Sequence, residues 1–405
     1  MSAYLLVIGL CSVVILSFFF NLIAKKTNIP SVLMLILLGL GIQQLLNYLG
    51  MKPEYFNTLE VLGIVGLIMI VLEAALDLEL KKENWPIIWK SFLIAFVSLC
   101  LSSGIFAFII QLFIQNMGFL PALIYAIPFS IMSSAIIIPS VSNLDQHKRE
   151  FMIYESTFSD ILGIMFFYFL VENTDANGAG EVFLSLSGNI LLTVIFSALC
   201  SYLMVFVMQK IKSETRFFLF LSVLILLYAV SKLIHLSSLL IILMFGLLLG
   251  NYKALLFGKL REWLKADAID DLFEDFKMIT VETSFLVRTF FFVVFGISMS
   301  IATLAKNKVW LISFSFLAVL YLIRYFMFFV VERKNIFPQV FLAPRGLISI
   351  LLFFAIPEDF KVPEFESGAL LLVIIFSSLI MAFSLIVGRK KGLRGETGEK
   401  INLHE

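Results

Sequence analysis

Charge is scarce in this chain. Only 15% of its 405 residues are Asp, Glu, Lys or Arg, and there are three histidines. A soluble domain carries about 25% charged residues, so a water-soluble globule is excluded. The net charge of +1 offers no basic surface to nucleic acid. Cysteine is nearly absent. Cys11, Cys100 and Cys200 fall inside apolar runs, which gives neither a disulfide framework nor zinc spacing and reads as three buried, inert thiols. The alternating ten-residue segments of a transmembrane β-barrel are missing too. Residues 1–25 hold no basic n-region and no small-residue cleavage site, so the first apolar run is expected to be a retained span. Nothing resembles an attached nucleotide-binding domain, and no cofactor is expected.

What remains is apolar: 60% of residues are hydrophobic, 44 are Phe, and mean hydropathy is +1.02. The Phe residues read mostly as lipid-facing and packing mass. Runs of about 18–25 apolar residues each suit one crossing of a ~30 Å hydrocarbon core. They fall near 3–24, 31–49, 58–78, 87–114, 119–142, 150–171, 182–208, 217–232, 236–251, 281–303, 309–331, 337–357 and 367–388. The sequence thus predicts an all-α polytopic membrane protein of about thirteen transmembrane helices. Connecting loops on one side, with the tail from Arg389, hold twenty-one Lys and Arg; the alternate loops hold five. The positive-inside rule then puts the N-terminus outside and the C-terminus in the cytoplasm. A bacterial inner membrane is the expected location.

Two spans look broken. The fifth has Pro121, Pro128 and Pro139 around Ser130, Ser133 and Ser134; the twelfth has Pro344-Arg345-Gly346 in mid-run. Proline removes a backbone donor. Irregular backbone survives in a membrane only where it is buried in protein or lines a cavity. Broken helices at corresponding places in two halves point to a transporter of inverted repeats. The expected plan is a transmembrane domain over 1–388, with repeats about 3–171 and 217–388 and a linker helix about 182–208. A short cytoplasmic tail, 389–405, follows. Between Lys253 and Lys277 apolar residues recur at helical spacing, which predicts an amphipathic helix on the membrane surface. Gly39-Leu40-Gly41 lies inside an apolar run and reads as close helix packing.

The chemistry concentrates in Glu155-Ser156-Thr157-Phe158-Ser159-Asp160. Arg149 is the last positive charge before that run. Asp160 follows it by eleven residues, about 16 Å of helix, which sets the acid near mid-membrane. A carboxylate there costs at least ~2.5–3.5 kcal/mol and marks a functional site. Helical spacing stacks Glu155 over Ser159 and Ser156 over Asp160, an oxygen-rich face suited to a proton or a partly dehydrated cation. The other charges within or near spans are Glu73, Asp77, Glu282, Arg288, Arg324 and Arg345. Glu155 needs a cation, and Arg324 is mid-span in the eleventh run. A Glu155–Arg324 bridge would leave Asp160 as the exchangeable acid. Arg288 reads as a packing cation, Asp77 as interfacial.

These motifs resemble those of the monovalent cation:proton antiporter superfamily, sodium/proton exchanger branch. Glu155-Ser-Thr-Phe-Ser159-Asp160 is similar to its Glu-Ser-x-x-Asn-Asp signature, with Ser159 in place of Asn. Leu72-Glu73-Ala-Ala-Leu-Asp77-Leu78 resembles its third-span acidic stretch. Arg324 stands where it has a basic residue, and Pro344-Arg345-Gly346 where it has a Gly-x-Arg-Gly break. Phe290-Phe-Phe292 with Gly296 resembles its tenth span. The resemblance runs in order along nearly the whole chain. It implies two crossed broken helices, and a core domain moving against a dimerisation domain in a homodimer. Proton and cation, Na+ first among them, would compete for Asp160, which would hold the metal only transiently. Ser156, Ser159, Ser133 and Ser134 would supply neutral oxygens, Glu73 would close the site, and Glu155–Arg324 would be structural. One exchangeable carboxylate implies electroneutral exchange.

Four alternatives stand beside this reading. A K+/H+ exchanger shares every feature above, and an Na+-coupled organic anion carrier of related fold would need a roomier site. An intramembrane aspartyl protease would need a second mid-membrane Asp in a Gly-x-Gly-Asp context, which this chain lacks. The chain is therefore expected to be no enzyme. A transport-dead subunit fits poorly with a buried acid and base in place.

Overall fold

The computed structural model describes residues 3–27, 29–50, 56–78, 82–115, 117–172, 195–204, 206–207, 216–233, 238–251, 266–299, 301–333, 336–362 and 364–401. Among them there is helix and turn and no strand. In order the helices are α1 (Ala3–Thr27), α2 (Ser31–Tyr48), α3 (Phe56–Asp77), α4 (Trp85–Phe113), α5 (Phe119–Ser130), α6 (Ser134–Ser140) and α7 (Gln146–Glu172). Then come α8 (Ile195–Met204), α9 (Arg216–Leu233), α10 (Ser238–Gly250), α11 (Ala266–Ser298), α12 (Asn307–Val331), α13 (Leu347–Phe354) and α14 (Gly368–Ile401). Each of the thirteen expected spans contains one of these helices, the fifth being α5 with α6 and the twelfth ending in α13. Most of the linker span 182–208 lies outside the described residues.

Local sequence explains several ends. Pro30 precedes the first turn of α2, and Pro86 occupies the first turn of α4, where its missing N–H costs nothing. The 29 residues of α4 reach about 43 Å, enough to cross a bilayer with tilt. Burial differs sharply along the chain. Only 6% of the α1 span is enclosed by protein, against 78% of the α5–α6 span. The first is open along its sides; the second is the centre of the molecule.

The helices pack as two groups. α11 lies along α2 and α3, and α10 along α3 and α9. Separately, α4 packs on α5, α7 and α12, α12 on α14, and α13 on α5. Contact between the groups is thin and runs mainly through α3, α7, α10 and α13. Packing rather than hydrophobic burial holds membrane helices together. Within the second group Phe106 stacks on Phe316 at 4.2 Å, and Phe129 meets Phe316 edge-on at 5.1 Å, joining α4, α12 and α5. Such ring pairs contribute about 0.5–1.5 kcal/mol each beyond area.

Three expectations change. The second half of the stretch 253–277 is no separate surface helix: from Ala266 it is the first part of α11, continuous to Ser298. Phe276 is buried there, and Lys277 pairs with Asp77 of α3 at 2.8 Å, which ties the extension to the bundle. Residues 252–265 lie outside the described residues. The polar tail from Arg389 continues α14 as helix to Ile401. The thiols are not enclosed either. Cys11 and Cys100 are exposed and Cys200 half-exposed, because a small apolar side chain is as acceptable to lipid as to protein. Of the two glycines at 39 and 41, only Gly39 marks a close crossing, against Val293 and Gly296 of α11; Gly41 faces open space.

Candidate ion-binding site

The fifth span breaks at Ile131–Ser133, among its serines, with Pro128 inside α5 and Pro139 inside α6. A break frees backbone donors and acceptors that lipid cannot satisfy. Here three of the freed donors have a destination. Met132 N–H donates to Ser159 Oγ at 2.9 Å, Ser133 N–H to Pro344 O at 2.9 Å, and Ser134 N–H to Asp160 Oδ2 at 3.0 Å. Two of these partners come from α7. The third is the extended chain of the twelfth span, so the broken segments cross with a direct backbone hydrogen bond.

The carbonyl end of α5 meets a cation. Arg345 is 1% exposed, and donates from Nε to Phe129 O at 2.6 Å and from its terminal nitrogens to Ser130 O and Ala343 O, each at 3.1 Å. Its own N–H donates to Ser377 Oγ at 3.0 Å. A guanidinium at a helix C-terminus offsets the partial negative charge of the last carbonyls. Two glycines permit the approach. A side chain at Gly346 would meet Ser133 Oγ at 2.5 Å, and one at Gly163 of α7 would overlap Ile131 at the break.

The two acids of α7 have different surroundings. Glu155 is paired with Arg324 of α12 through both oxygens, at 2.5 and 3.2 Å. Arg324 also donates to Val340 O and Gln339 O at 3.1 and 3.0 Å. Both side chains are within 3% of full burial. Asp160 is 4% exposed and has one oxygen on the Ser134 N–H. Among the described residues nothing donates to its Oδ1, and the Thr157 hydroxyl is likewise without a partner.

Those two groups and Ser134 face one small cavity of about 20 Å³. Its other walls are apolar: Ile70, Val71 and Ala74 of α3, Ile161 and Ile164 of α7, Leu243 of α10, and Ile348 of α13. The cavity therefore lies between the two helix groups. A separate cavity of about 10 Å³, inside the second group, is lined by Ser98, Ser102, Ser130, Ser159, Glu155, Arg324 and Arg345 among others.

The structure thus brings Asp160 and Ser134 together with Thr157. It places the other oxygens elsewhere. Ser159 faces the Glu155–Arg324 cavity and holds the break. The Ser156 hydroxyl donates to Ile153 O at 3.1 Å, outside the lining of the Asp160 cavity. Ser133 lies at the crossing, against Gly346. Glu73 is outside the cavity lining and is paired with Arg288 of α11 at 3.2 Å, part-buried. Thr157 is the group that sequence spacing passes over. The i+4 rule selects Ser156 beneath Asp160, yet i+3 neighbours on a helix are as close.

The sequence matches the model of the family described as sodium/hydrogen exchanger, transmembrane, over residues 13–387. No curated protein matches it. Among solved structures it is similar to the sodium proton antiporter MjNhaP1 from Methanocaldococcus jannaschii at pH 8. The TM-score is 0.65 at 18% identity, covering 96% of this chain and 99% of that one. An electron-microscopy structure of the same antiporter gives 0.63 at 19% identity, covering 96% of both chains. The broken crossing, the enclosed acid and a family match over nearly the full length agree: the chain is an integral membrane protein of the sodium/hydrogen exchanger family.

Proposed function

We propose that the chain exchanges a monovalent cation, Na+ first, for H+ by alternating access, with Asp160 as the seat that either ion occupies. The observation that carries this is the enclosed carboxylate with one oxygen fixed by the Ser134 N–H and the other unpartnered toward the cavity with Thr157. A proton or a dehydrated Na+ can each complete that oxygen, and neither leaves room for the other. Glu155 is committed to Arg324, so one carboxylate exchanges and the stoichiometry is one for one. The cation is held transiently by Asp160, Thr157 and Ser134. Pro344, Arg345 and Gly346 shape the crossing.

The group α4–α7 with α12–α14 is the moving body, and α1–α3 with α9–α11 the support through which two copies form a homodimer. The two groups are the inverted repeats interleaved, with 389–405 on the cytoplasmic side of a bacterial inner membrane and the N-terminus outside. The thin contact between the groups supports this division.

The test is fluorescence dequenching in inverted vesicles with each alkali chloride added in turn. Loss of every response in Asp160→Asn is expected; an unchanged response refutes the seat. A response to K+ equal to that to Na+ would instead favour a K+/H+ exchanger.

A further inference from the structure

Besides the Asp160 cavity, a vestibule of about 420 Å³ opens at the Lys/Arg-rich end of the molecule, lined by Asp77, Asn84, Gln146, Arg149, Glu150 and Tyr154 among others. The two spaces lie along one seam. On α7, Tyr154 lines the vestibule and Thr157 the cavity; at the α3 wall, Asp77 lines the vestibule and Ala74 the cavity. On both walls the step is three residues, about 4.5 Å of helix. Less than one helical turn separates the vestibule from the cavity that holds the acid.

That turn is filled by a small apolar cluster separate from the main core. Leu78, Ile88 and Tyr154 are buried in it, with Phe158 and Leu247 packed around them. Leu78 and Leu247 belong to the α3–α10 side. Ile88, Tyr154 and Phe158 belong to the α4–α7 side. Leu78 is anchored by Asn251, whose amide donates to Leu78 O at 2.7 Å. The Tyr154 ring stacks on Phe158 at 6.5 Å, and its hydroxyl accepts from Asn84 Nδ2 at 3.5 Å at the vestibule edge. The ring is in the seal and the polar tip at the water side, an arrangement tyrosine suits. A constriction lined by apolar groups stops ions by excluding water. A cluster built from both helix groups opens when they shift.

We propose that Tyr154, seated on Leu78, is the gate between the vestibule and Asp160. Its withdrawal from Leu78 admits the hydrated cation and the water that carries protons. The role rests on the exchange reading, but the labelling test does not.

The probe is a small charged methanethiosulfonate added to inverted vesicles. Thr157→Cys is placed in a full chain whose three cysteines are replaced by serine. Labelling of the introduced thiol is expected to be slow, and to accelerate at least tenfold on Tyr154→Ala or Leu78→Ala, while Tyr154→Phe keeps it slow. In right-side-out vesicles the same substitutions leave the rate unchanged. Equal rates with and without both alanine substitutions overturn the gate, as does a similar acceleration by Trp89→Ala away from the seam. Where Tyr154→Ala fails to fold, Leu78→Ala reads the same contact. A further arm joins Tyr154→Cys to Leu78→Cys with a short bifunctional thiosulfonate. Exchange should stop and return on reduction; continued exchange in the linked protein overturns the gate. If Asp160→Asn abolishes exchange and labelling ignores Tyr154, only the gate falls. If labelling follows Tyr154 and Asp160→Asn exchanges normally, only the seat falls.

Discussion

Glu155 and Asp160 lie on one helix, five residues apart, and face two separate small cavities. Around Glu155 every charge is answered: a two-oxygen pair with Arg324, and Arg345 on the α5 carbonyls. Around Asp160, among the described residues, one carboxylate oxygen and one hydroxyl are left without a partner in a mostly apolar chamber. Under the proposed exchange, the first cavity is a joint and the second a seat. A closed network fixes where helices stand, whereas an open one has an affinity left to spend on a ligand.

The sharpest break of this contrast is Asp160→Asn. Exchange should vanish for all alkali cations while the melting temperature stays close to native, because Asn still accepts the Ser134 N–H. On the other side, Arg324→Ala should lower stability by about 3–5 kcal/mol by leaving a buried carboxylate alone, and Glu155→Gln should lower it comparably. Denaturation in detergent reads both. Replacing the pair together by Leu should recover much of the loss, since apolar substitutes spare the desolvation. Gly163→Val forces α7 off Ile131 and moves Asp160 from Ser134. The exchange rate should fall by about tenfold or more, as misplacement near a reacting group costs. Thr157→Val sharpens the definition of the seat. The apparent KM for the cation should rise several-fold, in line with about 1 kcal/mol for one oxygen contact, with little change in maximal rate. Smallest is Lys306→Met, which removes an exposed pair with Glu366. Less than about 1 kcal/mol should be lost.

The spans and the broken places were legible because membrane physics leaves few alternatives. Long apolar runs must be helices, and Pro344-Arg345-Gly346 or a serine cluster at mid-membrane must be enclosed. The facing of individual oxygens was not. Ser156 and Thr157 are adjacent, both polar and both buried, and about 100° of helix rotation decides which one sees the cavity. The partner of Glu73 was equally hidden. Arg288 is 215 positions away, and no local pattern joins α3 to α11. Amphipathic spacing from Lys253 onward suggested a surface helix, because a helix that leaves the membrane to pack on its neighbour shows the same period.

Arg345 has a consequence for the energetics of the cycle. Its charge rests on carbonyl dipoles and not on an acid, so the four ionised groups buried in the α4–α7 and α12–α14 body sum to zero when the seat is vacant. With either H⁺ or Na⁺ aboard, that body carries one positive unit. Under the proposed exchange, both laden strokes thus cross the membrane field with equal valence in opposite directions. Voltage can then redistribute the resting populations and the speed of each stroke, yet it does no net work over a complete turnover.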